Sequence, residues 1–571
     1  MFSGVQDITL IPEHTSSVRA PLLWLLVPQV LGYLAGLHLE VPPLICALGG
    51  LVLSVGTLQK GTKDTYAWEI TWAGCIFGAA FLYGWGWYQM RDPMIRDHGL
   101  LELPPRAVEF GIEVRRVFIQ EDQHGRVSGI ARVGTAPVTL DYIVGRDLYF
   151  RAYIHALQGP IVRGDVLRLK GIVQSLSWGN SDDQEFDKFL LRAHVFHASK
   201  RSIIAERVRP ANAFLQFCHH TNLFFQRTLR DGESPGSDSQ ADVLVAMMLG
   251  EKTALTHLQK EEFRHSGTMH LFAISGLHVG VVAMLVAWLL SLLPVPAWTR
   301  ISVGLCVLFL YVQITGGQPS AIRAFLMVAF VWGARIIQRK SNPFPALVGS
   351  AVFILLLDPA QIRNLGFQFS YAVVSVILLY GLPLAEQLRI LATPEFIGIP
   401  ETSIPLWRRF QVIVKQWFLL VFSISFSATL ASTPLTIANF GIATPGTVFL
   451  NLFLVSMAGV AIQLGAASLL MGIAGLGYLS SLINSAAKSL ISIMVWMVER
   501  ALQVPGFFQE VTMRNPILGP AGILLFIGVL LTCHHLKRRL RLHFFWIPPV
   551  AFIIYILATT IPIKIKDIIP S

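Results

Sequence analysis

Charged residues are scarce in this chain. Asp, Glu, Lys and Arg together make up 14% of its 571 residues, whereas 53% are hydrophobic, and a soluble domain usually carries about 25% charged residues. Several apolar runs reach about 20 residues, the length of a membrane-spanning helix. The composition therefore excludes an ordinary soluble enzyme or soluble binding module and predicts a polytopic α-helical membrane protein.

Paired cysteines and recognisable catalytic motifs are also lacking. The five cysteines are scattered, and no two have the spacing of a metal or redox motif. The sequence contains no His-Glu-x-x-His and no Gly-x-x-x-x-Gly-Lys-Ser/Thr segment, and Ile274-Ser275-Gly276 is not a Gly-x-Ser-x-Gly elbow. We therefore expect no disulfide, no metal, no cofactor and no enzymatic activity, and any ATPase that supplies energy is expected to be a separate protein.

The basic residues predict a topology. Spans are predicted near 21–39, 41–58 and 68–88, and Lys60 and Lys63 lie in the second connection. Because cytoplasmic loops accumulate Lys and Arg, this places the N-terminus inside and residues 99–209 outside. Further spans are predicted near 271–293, 300–315, 320–337, 344–357, 367–384, 412–432, 446–473, 476–501, 517–534 and 544–560. Together with the first three spans, the total is about 11 to 13. Three more basic clusters then fall on the cytoplasmic side: Arg335, Arg339 and Lys340; Arg389, Arg408, Arg409 and Lys415; and Lys537, Arg538, Arg539 and Arg541.

Apolar and polar residues alternate between residues 99 and 209. This period predicts strands near 108–114, 127–133, 138–144, 148–154, 166–176 and 202–208, with a short helix at 184–193. Five or six short strands with one helix are typical of a small β-barrel of the OB type. Such barrels bind single-stranded nucleic acid through cations and stacking aromatics, for which the candidates are Tyr149, Arg151, Tyr153 and Trp178. The other interpretation assigns most of these aromatics to the barrel core.

Residues 210–266 predict amphipathic and connecting helices. The helix at 210–230 has an apolar face that we expect on the membrane surface. Ser239 and Thr256 are the predicted caps of two following helices.

The segment from His270 to Gly280 carries polar side chains into the span predicted at 271–293. His270, Ser275 and His278 lie where unpaired polar groups are costly, which favours a protein interior or a wet pathway. On a continuous helix the two histidines point about 80° apart and Ser275 lies on another face, so neither one joint site nor a metal site follows. Lining of a passage and hydrogen bonding inside a packed bundle are both open interpretations.

Two further polar features lie at membrane depth. The turn from Gly316 to Ser320 precedes Arg323, which either faces a cavity and attracts phosphate or snorkels to the outer interface. Gln368, in a later span, adds hydrogen-bonding groups that a wet passage could use.

Four membrane segments together resemble the ComEC family of competence proteins. They are His270 to Gly280 with its Ile-Ser-Gly-Leu-His core, Gly316 to Ala324, Leu365-Gly-Phe-Gln-Phe-Ser370, and Thr433-Pro434 followed by Asn451. The resemblance implies an inner-membrane channel component that passes single-stranded transforming DNA into the cytoplasm. It also implies an OB-like outer domain and separate DNA-receptor, ATPase and nuclease proteins. The charged residues before the channel segments would form its vestibule: Glu251, Lys252, Glu261, Glu262, Arg264 and His265. An ordinary solvated helix face explains the same charges.

The resemblance also assigns candidate residues and domains. Channel-lining candidates are His270, Ser275, His278, Arg323 and Gln368. Longer family members carry a metallo-β-lactamase-like domain with a His-x-His-x-Asp-His motif, which this sequence does not contain, so we expect no nuclease site. The expected organisation is N-terminal membrane helices (1–98), an extracytoplasmic OB-like domain (99–209), connecting helices (210–266), a channel domain (267–562) and a short tail (563–571). The alternative function is a secondary transporter of a small anionic solute, although the sequence lacks the inverted repeats typical of that class.

Overall fold

The protein consists of a helical membrane domain and a small β-barrel. The computed structural model describes residues 22–39, 41–58, 66–91, 105–119, 125–154, 159–176, 186–187, 190–191, 195–233, 236, 238–338, 342–392, 405–536 and 546–562. Some residues named above lie outside these ranges: Trp178, Lys60, Lys63, Arg339, Lys340, Lys537, Arg538, Arg539 and Arg541.

Three apolar helices open the described chain and lie within a few residues of the predicted spans. They are α1 (Leu23–His38), α2 (Pro43–Leu58) and α3 (Tyr66–Arg91). Gly32 of α1 faces the carbonyl of Phe81, and Gly84 of α3 faces the backbone of Gln29, so a Cβ at either glycine would overlap the other helix. Glycine at these two positions therefore lets α1 and α3 approach closely.

The alternating segment folds into a closed five-stranded barrel. Its strands are β1 (Arg106–Ile119), β2 (Arg126–Thr135), β3 (Asp147–Ile154), β4 (Val166–Ser175) and β5 (His197–Arg209). They neighbour one another in the order β1-β2-β3-β5-β4, with β3 and β5 parallel and the other pairs antiparallel. Alternate residues such as Ile112, Phe150 and Leu167 fill the interior. The predicted small barrel is confirmed, and this strand order is that of an OB-type barrel.

One predicted strand, at 138–144, is wrong. Val138–Ile143 form a 3₁₀ helix instead. Leu140 and Ile143 are both buried, and their spacing of three residues corresponds to one 3₁₀ turn. Over so short a segment, the positions of the apolar residues fit both a strand, with its period of two residues, and a 3₁₀ helix, with its period of three.

A helical hairpin connects the barrel to the membrane domain. It consists of α4 (Ala213–Leu229) and α5 (Ser239–Leu249), and α6 (His257–His265) follows it. All residues of α5 from Ala241 to Leu249 are buried. Asp238 caps α5 by accepting hydrogen bonds from the N–H groups of Gln240 and Ala241, so the predicted cap at Ser239 is one residue too late. Thr256 caps α6 as predicted.

Helix α4 has apolar residues on two faces. Cys218, Phe225 and Leu229 are buried against the membrane domain, whereas three phenylalanines, Phe214, Phe217 and Phe224, are exposed. An exposed aromatic face beside apolar helices fits contact with lipid. Its location on the membrane surface stays a prediction.

The remaining helices form the membrane domain. They are α7 (Gly276–Ser291), α8 (Ala297–Ile314), α9 (Pro319–Ile336), α10 (Pro343–Leu357), α11 (Leu365–Val376), α12 (Leu382–Ala392), α13 (Leu406–Phe440), α14 (Thr447–Ile473), α15 (Gly477–Leu502), α16 (Leu518–Leu536) and α17 (Ile547–Thr559). Within the described chain, six segments are long and apolar enough to cross a membrane: α8, α9, α11 with α12, α13, α14 and α15. Shorter apolar helices include α1, α2, α7, α10, α16 and α17. The protein is thus a multi-pass helical membrane protein, and the number of 11 to 13 spans stays a prediction.

Three of the predicted spans differ in a consequential way from the observed helices. Helix α7 begins at Gly276 rather than at 271. Helices α11 and α12 are joined by a π-helix, Ile377–Gly381, where Gly381 packs against Ser427 of α13. Helix α13 has 35 residues and extends beyond 412–432 in both directions.

A three-stranded sheet ties together loops of the membrane domain. Its strands are β6 (Ile442–Ala443), β7 (Gln509–Met513) and β8 (Thr560–Pro562), in the order β6-β7-β8. The sheet therefore brings the ends of α13, α15 and α17 to one level.

Candidate functional site

The start of α7 is built by Ser275 and His278. Ser275 is the N-cap: its hydroxyl accepts a hydrogen bond from the N–H of Leu277 at 3.2 Å and lies 3.0 Å from Nδ1 of His278. The N–H of Ser275 donates to the same ring nitrogen at 3.2 Å. His278 thus takes the place that Glu or Gln occupies in a capping box. The prediction that Ser275 and His278 lie on different faces of one continuous helix was wrong, because the helix begins at Gly276, between the two residues.

The other ring nitrogen of His278 lies in the protein interior. Since Nδ1 accepts hydrogen bonds, a neutral ring carries its proton on Nε2. Nε2 lies near the carbonyl of Met247, yet it makes no hydrogen bond of acceptable geometry within the described chain. The whole side chain is inaccessible to solvent. Because its side chain is fully buried, His278 does not line a water-filled passage in this conformation.

His270 belongs to a separate turn and is accessible. It lies in a 3₁₀ helix, Met269–Phe272, with Nδ1 at 3.1 Å from the carbonyl oxygen of Gly267. Gly267 has a positive φ of 72° and packs against Thr444 and Thr447. The Thr447 hydroxyl donates to the carbonyl of Ser266 at 2.7 Å. The segment that carries His270 is therefore fixed to the start of α14, and of the two histidines only His270 presents exposed surface.

Arg116, Glu251 and Lys252 lie close enough to influence one another electrostatically, and they come from the barrel and from the membrane domain. Arg116 comes from β1, and the other two residues follow α5. Arg116 and Lys252 are exposed and Glu251 is half-buried, yet all three are desolvated. Burial raises the pKa of Glu251 against the influence of Arg116 and Arg230. Burial lowers the pKa of Lys252, and Arg116 lowers it further.

The barrel contacts the membrane domain at the turn that contains Gly316. Arg163, in the loop before β4, donates from Nη1 to Oε1 of Gln313 and to the carbonyl of Gly316, both at 3.3 Å. Gly317 lies so close to this guanidinium that a Cβ there would overlap it. Asn222 of α4 adds a hydrogen bond of 2.9 Å from Nδ2 to the carbonyl of Ile314. These contacts attach the barrel and α4 to the end of α8.

Arg323 and Gln368 form a second polar cluster. Arg323 is 4% exposed and donates from Nη2 to the carbonyl of Gly366 at 2.7 Å. Gln368 donates from Nε2 to the carbonyl of Ile362 at 3.0 Å. In the described chain, Nε of Arg323 and Oε1 of Gln368 are buried without a hydrogen-bond partner. The protein encloses Arg323, so the snorkelling interpretation is wrong.

The barrel candidates divide by exposure. Tyr149 is buried and packs against Phe118 and Phe186 at centroid distances of 6.5 and 5.2 Å, but it belongs to a separate apolar cluster with Leu190 and Val195 and not to the barrel core. Tyr153 is 40% exposed, with Arg126 5.8 Å above its ring. Arg151, between them on the same face of β3, is half-buried. Tyr153 and Arg151 are thus accessible for binding, whereas Trp178 lies outside the described residues.

Sequence reasoning missed Arg116 and Arg163. Each stands in or beside a strand where an exposed arginine is ordinary, and each acquires its role from a partner far along the chain. Glu251 and Lys252 were named from the family resemblance alone. The described residues contain no group of three or more His, Cys, Asp or Glu side chains that could hold a metal ion.

Comparison with known proteins identifies one family, the competence proteins. A family model described as competence protein matches residues 247–538, just over half of the chain. ComE operon protein 3 of Bacillus subtilis (strain 168) is 26% identical over 192 residues, which cover 33% of this chain and 24% of that protein. Competence protein ComA of Neisseria gonorrhoeae is 30% identical over 162 residues, covering 27% and 23%. The uncharacterized protein YcaI of Escherichia coli (strain K12) is 30% identical over 147 residues, covering 24% and 19%.

These matches span about a quarter or less of each relative's length. No solved structure matches the chain.

Proposed function

Because the chain belongs to the competence protein family, we propose that it forms the membrane route by which single-stranded DNA enters a bacterial cell during DNA uptake. The route runs from the barrel, past Arg116 and Lys252, into the membrane domain near His270. A polyanion needs a hydrated path with cations and donors and with few unpaired carboxylates. The observation that carries the proposal is the docking of the barrel on the membrane domain by Arg163, which donates to Gln313 and to the carbonyl of Gly316.

The arrangement of loops supports an inner-membrane location with the barrel outside. The barrel contacts the Gly316 turn, which follows α8, whereas Lys415 near the start of α13 donates to the carbonyl of Ala392 at 2.6 Å. Successive crossings by α9, α10 and α11–α12 put the Gly316 turn and Ala392 at opposite ends of the domain. Arg389, Arg408 and Lys415 then lie on the cytoplasmic side, as the positive-inside rule requires.

The proposal assigns translocation to this chain and other steps to partners. A receptor protein delivers the DNA, a separate ATPase supplies energy, and a separate nuclease removes the other strand. Membrane lipid surrounds the helices. The purified chain, incubated in detergent with end-labelled DNA and Mg²⁺, Mn²⁺ or Zn²⁺, is expected to release no nucleotides above a mock preparation.

The direct test is DNA entry in cells. A competent bacterium whose own competence-family gene is deleted receives this gene, and uptake is measured as labelled DNA that becomes resistant to added nuclease. We expect restored entry of one strand, and loss of entry when the described barrel residues are deleted in frame. If DNA entry is not restored although the protein is present in the membrane, while the purified chain in liposomes transports a small organic anion, the secondary-transporter alternative replaces the proposal.

A further inference from the structure

A groove opens at one end of the pair of membrane helices α14 and α15. It has a volume of about 620 Å³ and is lined by the beginning of α14, the last turns of α15 and the segment from Val504 to Phe507. Among the described residues that line it, Arg500 is the one charged side chain. We propose that this groove binds an anionic phospholipid, with an acyl chain between the two helices and the headgroup phosphate on the guanidinium of Arg500.

Aromatic side chains from both helices line the groove. Phe449 and Phe453 lie four residues apart on α14, so they share one face of that helix, and their side chains are 69% and 49% exposed. Trp496 of α15 is also exposed and lies one helical turn before Arg500. Both helices are long and apolar enough to cross a membrane, and tryptophan near the end of such a helix is typical of the interface between hydrocarbon and headgroups. The groove therefore lies where an acyl chain and a phosphate are both within reach.

The far end of the groove is fixed by the backbone. Gly446 packs so closely against the Phe507 ring that a Cβ there would overlap it, and the N–H of Gly446 donates to the carbonyl of Phe507 at 3.2 Å. Gly506, in the turn after α15, has a positive φ of 79°. The small side chain of Ala501 leaves room between the helices. The space is thus formed by the fold itself and does not depend on the rotamer of one long side chain.

The guanidinium of Arg500 is available to an external anion. Within the described chain Arg500 makes no ion pair, and its one side-chain hydrogen bond is donated from Nη1 to Oε1 of Gln503 at 3.2 Å. The adjacent carboxylate, Glu499, acts instead on α6, where burial and the charge of Glu499 raise the pKa of Glu262. The remaining N–H groups of the planar guanidinium fit the oxygens of a phosphate.

One cation beside an apolar groove favours a phospholipid over other ligands. A free phosphate would use Arg500 and leave the apolar space empty, whereas a neutral lipid would fill the space and leave the cation unpaired. A basic side chain near the membrane surface attracts negatively charged headgroups. Because α13 returns the chain to the end of the domain that carries the Gly316 turn, the groove opens to the leaflet on the side of the barrel.

A lipid in this groove would also stabilise the segment that holds the His270 turn. Gly446 lines the groove, and the next residue, Thr447, donates to the carbonyl of Ser266 at 2.7 Å. On the other wall, Phe508 follows Phe507 and its ring stacks on His265 at a centroid distance of 4.7 Å. Bound lipid should therefore slow hydrogen exchange in residues 445–453 and 496–508.

The experiment measures lipid binding to the purified, delipidated full-length chain by native mass spectrometry, with phosphatidylglycerol and phosphatidylcholine that carry identical acyl chains. We expect the parent chain to bind one phosphatidylglycerol in preference to phosphatidylcholine. Arg500→Gln should weaken phosphatidylglycerol binding about fivefold and leave phosphatidylcholine binding unchanged, whereas Arg500→Lys should retain most of the preference. Ala501→Phe fills the groove and should weaken binding of both lipids.

A matched control and a folding check accompany these variants. Arg335→Gln removes one positive charge near the end of α9, at the opposite end of the domain, and should leave the preference for phosphatidylglycerol unchanged. The thermal midpoint of each variant without lipid identifies misfolded protein. Hydrogen exchange with and without phosphatidylglycerol then locates the bound lipid in the parent chain and in Arg500→Gln.

Three results would overturn the assignment. Equal binding of the two lipids by the parent chain excludes a site for an anionic headgroup. A preference for phosphatidylglycerol that persists in folded Arg500→Gln and folded Ala501→Phe places the lipid elsewhere on the protein. If the parent chain is a dimer that Ala501→Phe dissociates while lipid binding stays unchanged, a second copy of the chain covers the groove.

Discussion

The hydroxyl oxygen of Ser275 lies 3.0 Å from Nδ1 of His278, and the backbone N–H of Ser275 also points to that nitrogen. This pair begins α7. A polar pair that would be costly in a lipid-facing helix here uses the Ser275 hydroxyl and Nδ1 of His278 in capping. Its first role is therefore structural.

A capping role makes a prediction about conservative replacement. Ser275→Ala and His278→Ala are each expected to lower the free energy of unfolding by about 1 kcal/mol or more, whereas His278→Gln, which can occupy the same place in a capping box, should stay close to the parent chain. The measurement is the thermal unfolding midpoint in detergent, followed by DNA uptake per folded molecule. Loss of uptake in a stable His278→Gln variant would show that the imidazole itself is needed.

Arg323→Gln tests the second polar cluster. The substitution removes the donor to the carbonyl of Gly366 and a side chain that is 4% exposed, so we expect a loss of about 1–3 kcal/mol in stability. DNA uptake should fall only with the amount of folded protein, and Arg323→Lys, which keeps one donor, should fall less. A variant with the parent's thermal midpoint and lost uptake would instead place Arg323 in contact with DNA.

Two adjacent glycines offer a matched test of barrel docking. Gly316 and Gly317 both have positive φ angles, 88° and 61°, so alanine strains the backbone at either position. A Cβ at Gly316 meets nothing within 4 Å, whereas one at Gly317 overlaps the Arg163 guanidinium. Gly317→Ala should therefore accelerate hydrogen exchange around residues 159–166 more than Gly316→Ala does. Equal acceleration in the two variants would mean that Arg163 does not hold the barrel.

The buried ion pair of the hairpin can be compared with an exposed pair of the same length. Arg230 to Asp242 and Arg389 to Glu386 are both 2.8 Å apart, but the first pair is buried and the second is largely accessible. Asp242→Asn leaves a buried arginine without its counter-charge and should cost about 3–5 kcal/mol. Glu386→Gln should cost at most about 1 kcal/mol. Similar shifts in thermal midpoint would contradict the burial of Arg230.

Single cysteines test the orientation. In a chain with its native cysteines replaced, Val138→Cys lies on the barrel, and Tyr478→Cys lies in the first turn of α15; the native side chains are 94% and 88% exposed. A membrane-impermeant maleimide should label residue 138 in intact spheroplasts and residue 478 only after permeabilisation. The reverse pattern would place the barrel in the cytoplasm.

The sequence predicts what depends on local periodicity. The barrel strands and most membrane helices follow from periods of two and from apolar length, so they are found within a few residues. Arg163 and Gly316, by contrast, meet across 153 residues of chain, and no local pattern pairs an arginine in one domain with a carbonyl in another. The Ser275–His278 pair lies between these cases. Its Ser-x-x-His spacing is a capping signal, but a helix drawn continuously from residue 271 hides it.

The 35 residues of α13 have a consequence for the membrane boundary. At 1.5 Å per residue the helix is about 52 Å long, and at the steepest usual tilt of about 40° it still rises about 40 Å, against a hydrocarbon core of about 30 Å. About two turns of α13 must therefore stand outside the apolar layer. Arg408 and Arg409 lie in its first turn, so the helix places two positive charges at the level of the lipid headgroups, about 5 Å beyond the edge of the hydrocarbon core.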